Sequence, residues 1–287
     1  QDSTGDCEVT VYPVFSGIEL VYYDVHMQSC DINLAKGREM LIITHCQEGR
    51  IEFEYKNGEY LYLASGDLSI QKNTENIRHR YCPLSHYHGV SVAIDMNRVP
   101  RCFSCILDDV FVSPEELEMK FCSEKPYSIM RENISIEHIF SELYRVEPRM
   151  IAYYLKVKVL ELLMFLNQVS LQDYQEERRY FARNQVQTIK KMQEYMTADL
   201  RNHYTLQELS EKFEIPLTSM KVCFKGVYGC SIYAYMKSYR MQAATILLRD
   251  TSDSITEIAA KMGYDNPSKF SEVFKKEFGE LPSEFRK

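Results

Sequence analysis

Residues 205–229 read TLQELSEKFEIPLTSMKVCFKGVYG, and residues 254–279 read SITEIAAKMGYDNPSKFSEVFKKEFG. Each stretch opens with a hydroxyl residue followed three positions later by Glu, the capping box that satisfies free amides at a helix start. Each stretch also closes with Phe-Lys and, four residues after the Lys, a Gly, which commonly ends a helix. This internal repeat predicts two units, each made of a helix, a short turn and a helix.

The segment between the repeats, residues 231–248, predicts one long helix. Its apolar residues are spaced alternately by four and three positions, as in an amphipathic helix. They are Ile232, Met236, Tyr239, Ala243 and Ile246. Such a helix joins the two units rigidly, so that they can enter successive major-groove segments on one face of DNA, about 10 base pairs apart.

Residues 184–287 resemble the DNA-binding domain of the AraC/XylS family of transcription regulators. The family pattern R-x-x-x-A-x-x-L-L is matched by Arg240, Ala244, Leu247 and Leu248. The closing signature of the family is matched by Ile258-Ala259, Gly263-Tyr264, Phe270-Ser271, Phe274-Lys275-Lys276, Phe278-Gly279, Pro282 and Phe285-Arg286. Residues 219–229 are most similar to the branch of the family that includes siderophore-responsive regulators.

The resemblance implies that the outer face of the second helix of each unit meets DNA. The residues concerned are Thr218, Ser219, Lys221, Val222 and Lys225 in the first unit, and Asn266, Ser268, Lys269, Ser271, Lys275 and Lys276 in the second. Lysines neutralise phosphates, whereas Ser and Asn can bond base edges. Many family members have Arg where Val222 and Glu272 stand, so specificity is expected to depend on the other residues or on DNA shape.

The apolar residues of the repeats are interpreted as core on the basis of their helical spacing. They are Leu209, Met220, Phe224, Ile258, Phe270 and Phe274.

Charge is divided unevenly along the chain. The 287 residues carry 34 Lys and Arg against 41 Asp and Glu, a net charge of −7. Residues 184–287 hold 15 basic and 13 acidic residues, a net of +2, which leaves 19 and 28, a net of −9, for residues 1–183. DNA contacts are therefore expected from local basic clusters in the second part. We recognise neither an apolar run of ~18 residues nor a secretory signal, and expect a cytoplasmic protein without a membrane partner.

The first hundred residues predict short β-strands. Residues 50–56 alternate apolar and polar side chains, the pattern of a strand with one buried face. Asn57-Gly58 suits a type I′ turn, so residues 60–63 are expected to return antiparallel as a hairpin. Similar runs lie at residues 8–15, 19–26, 40–46, 68–71 and 90–96. Many short strands at this spacing predict a barrel or a sandwich.

Helical patterns follow. Ser113-Pro114-Glu115-Glu116 supplies a cap, a proline and early acids, and so predicts a helix start. Residues 149–168 are apolar around most of their circumference, which predicts a helix buried on more than one side. The residues expected to contact a second copy of the chain are Ile151, Leu155, Leu162 and Leu166. Residues 172–183 are dense in charge and predict a linker.

The amino-terminal part resembles the cupin-like sensor barrel of the same family, which implies a small-molecule effector. The candidate ligand-binding residues are Tyr22, His26, Tyr55, His86 and His88. An aromatic pocket would use tyrosines of this kind, but tyrosine is also frequent in strands without any ligand. Both interpretations of the tyrosines stay open.

A metal-binding cupin needs an H-x-H pair, a later Glu and a distant His. His86-Tyr87-His88 supplies the pair, with His79 and Cys82 nearby, but the Glu spacing is missing. Cys102 and Cys105 have redox or metal spacing without a second pair, and the nine cysteines show no disulfide framework. We therefore expect ordinary histidines, reduced thiols, no metal and no cofactor, with a metal or ligand role for the histidines as the alternative.

The predicted fold class is α+β, in four parts. These are a cupin-like, β-rich sensing domain (residues 1–112), a helical dimerisation segment (113–171), a linker (172–183) and an all-α domain with two helix-turn-helix units joined by a long helix (184–287).

The predicted function is that of a homodimeric, effector-controlled transcription regulator that binds double-stranded promoter DNA and is not an enzyme. As an activator it would also contact RNA polymerase. One alternative is a constitutive DNA-binding protein whose barrel only dimerises. Another is a cupin metalloenzyme fused to a DNA-binding domain.

Overall fold

The computed structural model describes residues 5–27, 38–72, 77–99, 113–144, 150–170, 181 and 183–286. The chain divides into two compact units, Gln1–Tyr180 and Phe181–Lys287. The first unit contains an antiparallel sheet with helices, and the described part of the second is helical, so the α+β class is confirmed. None of the helices in the described residues combines the length and apolarity needed to cross a membrane.

Within the described residues, eight strands form the sheet of the first unit. They are β1 (Asp6–Phe15), β2 (Ile18–His26), β3 (Met40–Tyr55), β4 (Tyr60–Ala64), β5 (Leu68–Lys72), β6 (Ile77–Tyr81), β7 (Tyr87–Asp95) and β8 (Tyr127–Met130). The order is β1-β2-β7-β3-β5-β8, with β4 and β6 also paired to β3. No pairing joins β1 to β8 within the described ranges. The sheet is therefore open there, and the closure of the predicted barrel is not seen.

Strand β3 combines two segments that the sequence predicts as separate strands, residues 40–46 and 50–56. Its register against β7 shifts between Cys46 and Glu48, and Gly49 takes a φ of 80°. This bulge lets the first part of β3 pair with β5 and β7 while its later part pairs with β4 and β6. Strands β6 and β8 were not predicted, because β6 reads IRHRY and β8 is only four residues long.

The hairpin between β3 and β4 is confirmed, but its turn type is not. The amide of Gly58 donates to Tyr55 O at 2.9 Å, and the amide of Tyr55 donates to Glu59 O at 2.9 Å. Gly58 has a φ of 84°, whereas Asn57 does not take a positive φ. A type I′ turn needs two positive φ values, so this is instead a three-residue loop with one left-handed glycine.

In the part of the first unit that the structure describes, three helices pack on one face of the sheet: α1 (Pro114–Cys122), α2 (Ile134–Leu143) and α3 (Ile151–Gln168). As predicted, Ser113 caps α1, and its side chain accepts the amide of Glu116. The core between helices and sheet includes Ile18, Leu20, Leu41, Ile43, Val90, Val92, Phe140, Leu155, Leu162 and Leu166. Burial of this apolar surface is the main force that holds the helices on the sheet.

The predicted dimer stripe on α3 needs correction. Leu155, Leu162 and Leu166 are buried in the core of their own unit, and Ile151 packs partly against it. The side of α3 that faces solvent in this chain carries Tyr153, 76% exposed, and Val157, 62% exposed. The apolar circumference of the helix is therefore only partly buried. Of the predicted linker, only residues 181 and 183 are described, and the rest lies outside the described residues.

The second unit contains helices α4 (Arg183–Ala198), α5 (Leu206–Lys212), α6 (Leu217–Tyr228), α7 (Ile232–Asp250), α8 (Ile255–Lys261), α9 (Pro267–Phe278) and α10 (Pro282–Phe285). Helix α7 contacts α4 and α6 on one side of the repeat and α8, α9 and α10 on the other. This confirms one long helix joining two helix pairs. With 19 residues, it is about 28 Å long.

The buried face of α7 differs slightly from the predicted stripe. Ile232 and Met236 are buried, but Ile246 is 59% exposed, and Tyr239 and Ala243 are half-buried. Buried positions also include Tyr235, Arg240, Met241, Ala244 and Leu248. The reason is that α7 packs against helices of both helix pairs, so that buried positions lie on more than one side of the helix.

Candidate nucleic-acid interface

Both helix pairs begin with the capping box that the sequence predicts. The Thr205 hydroxyl accepts the Glu208 amide at 3.1 Å, and Glu208 Oε2 accepts the Thr205 amide at 2.7 Å. At α8, the Ser254 hydroxyl accepts the Glu257 amide at 3.2 Å, with the reverse bond at 2.7 Å. These bonds lower the pKa of both glutamates, because the ionised carboxylate is the better acceptor.

The second helix of each pair also ends in the same way. Gly229 follows α6 with a φ of 79°, and Gly279 follows α9 with a φ of 85°. Each glycine amide donates to the carbonyl of the Lys four residues earlier at 2.8 Å. A left-handed position favours glycine because other residues meet steric conflict there. The repeat in the sequence is therefore a repeat in structure.

Helix α6 presents the residues predicted for DNA contact on one side. Thr218, Lys221 and Lys225 are exposed, and Ser219 and Val222 are half-buried. The opposite side of α6 packs into the unit through Met220, Cys223, Phe224, Val227 and Tyr228. Thr218 and Ser219 lie in the first turn of α6. This is the part of a recognition helix that reaches base edges in the major groove.

Helix α9 presents a similar face with more internal contacts. Ser268, Lys269, Lys275 and Lys276 are exposed, and Phe270 and Phe274 are buried beneath them. Asn266 caps the helix, since its Oδ1 accepts the amides of Ser268 and Lys269 at 2.9 and 3.4 Å. The side-chain oxygen of Asn266 is thus already bonded within the protein. Its side-chain nitrogen is the group that can still donate to a base or a phosphate.

Two further side chains of α9 are held by neighbours on the same helix. The Ser271 hydroxyl donates to Pro267 O at 2.9 Å, so its proton is already used. Lys269 Nζ lies 2.9 Å from Glu272 Oε2. This bond and the attraction between the charges raise the pKa of Lys269 and lower that of Glu272. Glu272 thus places a negative charge on a face that would meet phosphates.

Arg240, matched to the family pattern, has a structural role that the sequence did not predict. It is buried, and its guanidinium donates to Leu200 O at 3.0 Å and to Asn202 O at 2.8 Å. The same loop is held from the other side, where His203 Nε2 lies 2.6 Å from Gly263 O. Arg240 on α7 and Gly263 after α8 therefore hold the loop that precedes α5. Through these hydrogen bonds the loop links the first helix pair to α7 and to the second pair.

The apolar residues predicted as core of the repeats are buried. Leu209, Met220, Phe224, Ile258, Phe270 and Phe274 are each at most 1% exposed. The second pair packs its buried side against α7 through Met241, Ala244 and Leu248. This packing orients the exposed face of α9.

The candidate ligand-binding residues of the first unit fall into two groups. Tyr22 packs partly against the core between the sheet and its helices, and its hydroxyl donates to Leu143 O at 2.8 Å. Tyr55 belongs to a different cluster, stacks on Tyr127 with ring centroids 5.0 Å apart, and donates to Gln71. His26, His86 and His88 come together at one end of β2 and β7.

Other residues singled out by the sequence do not join that group. His79 is exposed on β6, and Cys82 is buried in the cluster that contains Tyr55. Cys102 and Cys105 lie outside the described residues.

Comparisons with known proteins match the second unit. A family model described as a helix-turn-helix domain matches residues 209–287. The transcriptional regulator ExsA of Pseudomonas aeruginosa is 32% identical over 98 residues, which are 34% of this chain and 35% of that protein. The transcriptional activator RhaR of Mannheimia succiniciproducens is 30% identical over 91 residues, 32% of this chain and 33% of that protein. The chain thus spans about a third of the length of these curated relatives.

A solved structure of a transcriptional regulator with an AraC-type DNA-binding domain, from Chromobacterium violaceum, aligns with 35% of this chain and 89% of its own, at 22% identity and a TM-score of 0.33.

The second unit is a DNA-binding domain of the helix-turn-helix class. Its motifs and these relatives make it similar to the DNA-binding domains of transcription regulators of the AraC/XylS family.

Proposed function

We propose that the whole chain is a sequence-specific transcription regulator that binds promoter DNA through α6 and α9. The observation that carries this proposal is the repeated geometry of the two helices. Each has a buried apolar side, an exposed side with hydroxyl and lysine residues, and a left-handed glycine at its end. The net charge of −9 on residues 1–183 would repel DNA, which concentrates binding on these two faces.

The exposed faces of α6 and α9 would contribute unequally to DNA binding. On α6, Thr218 and Ser219 would meet base edges while Lys221 and Lys225 neutralise phosphates. On α9, Ser268 and the Asn266 side-chain amide would meet bases, with Lys275 and Lys276 on phosphates. The bonds of Ser271 to Pro267 and of Lys269 to Glu272 reduce what those two side chains offer.

The first unit would act as a cupin-like sensor for a small-molecule effector. Tyr22, His26, His86 and His88 are the candidates for its binding, whereas Tyr55 lies in a separate cluster. The effector can shift DNA binding only by its difference in affinity between the two arrangements of the protein.

A homodimer is part of the proposal. Since Leu155, Leu162 and Leu166 are buried within their own unit, α3 would meet a second copy through the side that carries Tyr153 and Val157. We place the protein in the cytoplasm, where an activator of this kind would also contact RNA polymerase. The relatives are named as transcription regulators, which favours a regulator over an enzyme.

The test is fluorescence anisotropy with DNA from upstream of the protein's own gene, measured over a series of salt concentrations. The variant is Lys221→Ala with Lys275→Ala, one exposed lysine from each helix that the proposal places on phosphates. If both lysines touch phosphates, the slope of log affinity against log salt falls by about 1.8, since each phosphate contact contributes about 0.9.

The matched control for this test removes two exposed lysines from the first unit, Lys56→Ala with Lys156→Ala. This control should keep the wild-type slope. An equal slope for wild type and the α6/α9 variant, in a protein that binds the DNA, would contradict the proposed interface.

A further inference from the structure

Three histidines from two parts of the chain meet at one end of the sheet in the first unit. His26 is the last residue of β2, His88 is the second residue of β7, and His86 immediately precedes β7. Their ring centroids are 5.2 Å apart for His26 and His86, 5.2 Å for His26 and His88, and 4.5 Å for His86 and His88. The grouping therefore depends on how β2 pairs with β7.

Strand register fixes this arrangement. Asp24 is paired with His88 across β2 and β7, and His88 is paired with Glu48 across β7 and β3. Directly paired residues share a face of a sheet, as do residues two positions apart on one strand. Asp24, His26, His86, His88 and Glu48 therefore share one face at one end of three neighbouring strands.

The nitrogen atoms lie close enough to bind one ion. One ring nitrogen from each histidine lies within 4.8 Å of the other two. His26 approaches His86 with 3.4 Å between the Nδ1 atoms, and approaches His88 with 3.5 Å between the Nε2 atoms. Two nitrogens bound tetrahedrally to zinc at about 2.0–2.1 Å stand about 3.3–3.4 Å apart. These two approaches use different nitrogens of His26, so binding of one ion requires rotation of the rings until one nitrogen of each points at the same position.

Carboxylates complete the donor set. Asp24 Oδ1 lies 2.8 Å from His26 Nε2 and 2.7 Å from His88 Nε2. Glu48 Oε2 lies 3.3 Å from His86 Nε2. The side chains of the three histidines are between 29% and 51% exposed, so an ion in solution can reach them.

We propose that His26, His86 and His88 bind a divalent first-row transition-metal ion, with Asp24 as the fourth ligand and Glu48 holding His86 in place. Neutral imidazoles with one carboxylate suit Zn²⁺ and the neighbouring divalent ions rather than Mg²⁺ or Ca²⁺, which take oxygen ligands. The sequence predicts no metal because the spacing of a metal-binding cupin motif is missing along the chain. This site instead uses residues from three strands and does not follow that motif.

The ion would connect the end of β2 to the start of β7. The same sheet face carries Tyr22 and Val90, which are paired two residues further along and pack towards the helices. Metal binding would therefore tighten the sheet beside that core. The site does not depend on the proposed DNA binding, because no residue of α6 or α9 takes part in it.

The test is titration of the full chain, freed of metal with a chelator, with ZnCl₂ by calorimetry and with CoCl₂ by absorption spectroscopy. We expect one equivalent of Zn²⁺ to bind and to raise the melting temperature. The cobalt spectrum should show four-coordinate d–d bands without a thiolate-to-cobalt charge-transfer band, which separates this site from the exposed thiol of Cys7.

Substitutions of the proposed ligands test whether these residues bind the ion. His26→Ala, His88→Ala and Asp24→Asn should each weaken binding of Zn²⁺ at least about tenfold. The matched controls His79→Ala and His138→Ala remove exposed histidines elsewhere in the same unit and should bind as the wild type does.

The proposal is overturned if the wild-type chain binds no Zn²⁺, or if the variants of the site bind it as tightly as the controls. In the second case the five side chains form only a hydrogen-bonded cluster. Failure of DNA binding, in contrast, would leave all of these metal measurements unchanged.

Discussion

Lys269 Nζ lies 2.9 Å from Glu272 Oε2 on the exposed face of α9, so a basic side chain of the surface proposed to bind DNA is partly neutralised by its neighbour. Both groups are well exposed, and such a pair adds little to stability. Glu272 is instead expected to weaken DNA binding, because its negative charge repels phosphates. A helix with this pair is expected to bind DNA less tightly than its lysines alone suggest.

Glu272→Gln should therefore tighten DNA binding. Removal of one negative charge near a phosphate is worth about 1 kcal/mol in water, or about fivefold in affinity at low salt. The anisotropy assay measures this gain, which should shrink as salt is added. Glu137→Gln, on the exposed side of α2, removes the same charge from the first unit and should leave affinity unchanged. A glutamine at residue 272 that weakens binding would mean that Glu272 itself contacts a base.

Substitution of two glycines of the second unit distinguishes the cost of steric crowding from the cost of backbone strain. Gly263 and Gly279 have φ values of 79° and 85°. A Cβ at Gly263 would lie 2.8 Å from Leu200 O and 2.9 Å from Arg201 O, whereas a Cβ at Gly279 meets nothing within 4 Å. Gly279→Ala should cost about 1 kcal/mol of unfolding free energy, and Gly263→Ala at least about 2 kcal/mol. Urea unfolding of both variants measures the difference. Equal losses would show that the loop before α5 moves away without cost.

Arg240 should matter for stability rather than for phosphate contact. Arg240→Met keeps the aliphatic stem and removes the bonds to Leu200 O and Asn202 O, for an expected loss of about 2–3 kcal/mol. Urea unfolding measures the loss. Under conditions in which the variant is fully folded, the salt slope of DNA binding should equal that of the wild type. A lower slope would mean that the guanidinium reaches DNA.

Local signals explain why the second unit follows from the sequence more fully than the first. A capping box at Thr205 or a glycine at residue 229 acts over four residues, so its meaning is readable along the chain. The exposed positions of Lys221 and Lys225 follow from the helical period in the same way. The predicted stripe of α7 was wrong at Ile246 because α7 packs against several helices, and a single helix pattern contains no information about them.

The first unit depends on pairing between distant residues. His26 meets His86, 60 positions away, only because β2 lies beside β7. The bulge at Cys46 and Glu48, which merges two predicted strands into β3, likewise depends on the partner strands. Leu155 and Leu162 read as an apolar stripe in the sequence, but the stripe alone does not say whether the sheet of the same chain or a second copy covers it.

His45 is expected to make the stability of the first unit depend on pH. Its ring is buried, stacks on Phe140 with centroids 4.2 Å apart, and has Nδ1 3.0 Å from the Tyr144 hydroxyl. Burial lowers the pKa of His45 to about 4. An unfolded histidine has a pKa of about 6.5, so between these values the unfolded state binds more protons and unfolding becomes easier as pH falls.

The contribution of His45 is thus fully present above about pH 6.5 and is lost as pH falls towards 4, by up to about 3.5 kcal/mol, since each unit of pKa difference is worth about 1.4 kcal/mol. His45→Gln removes the titrating group, so its unfolding free energy should fall less steeply over this pH range, although it starts lower because the contact with Phe140 is reduced. His138→Gln, an exposed change on α2, should keep the wild-type slope. A buried neutral imidazole resists protonation only while it stays packed between the sheet and α2, so loss of His45 should remove this pH dependence. Parallel pH profiles for wild type and His45→Gln would instead place the pH dependence in other groups.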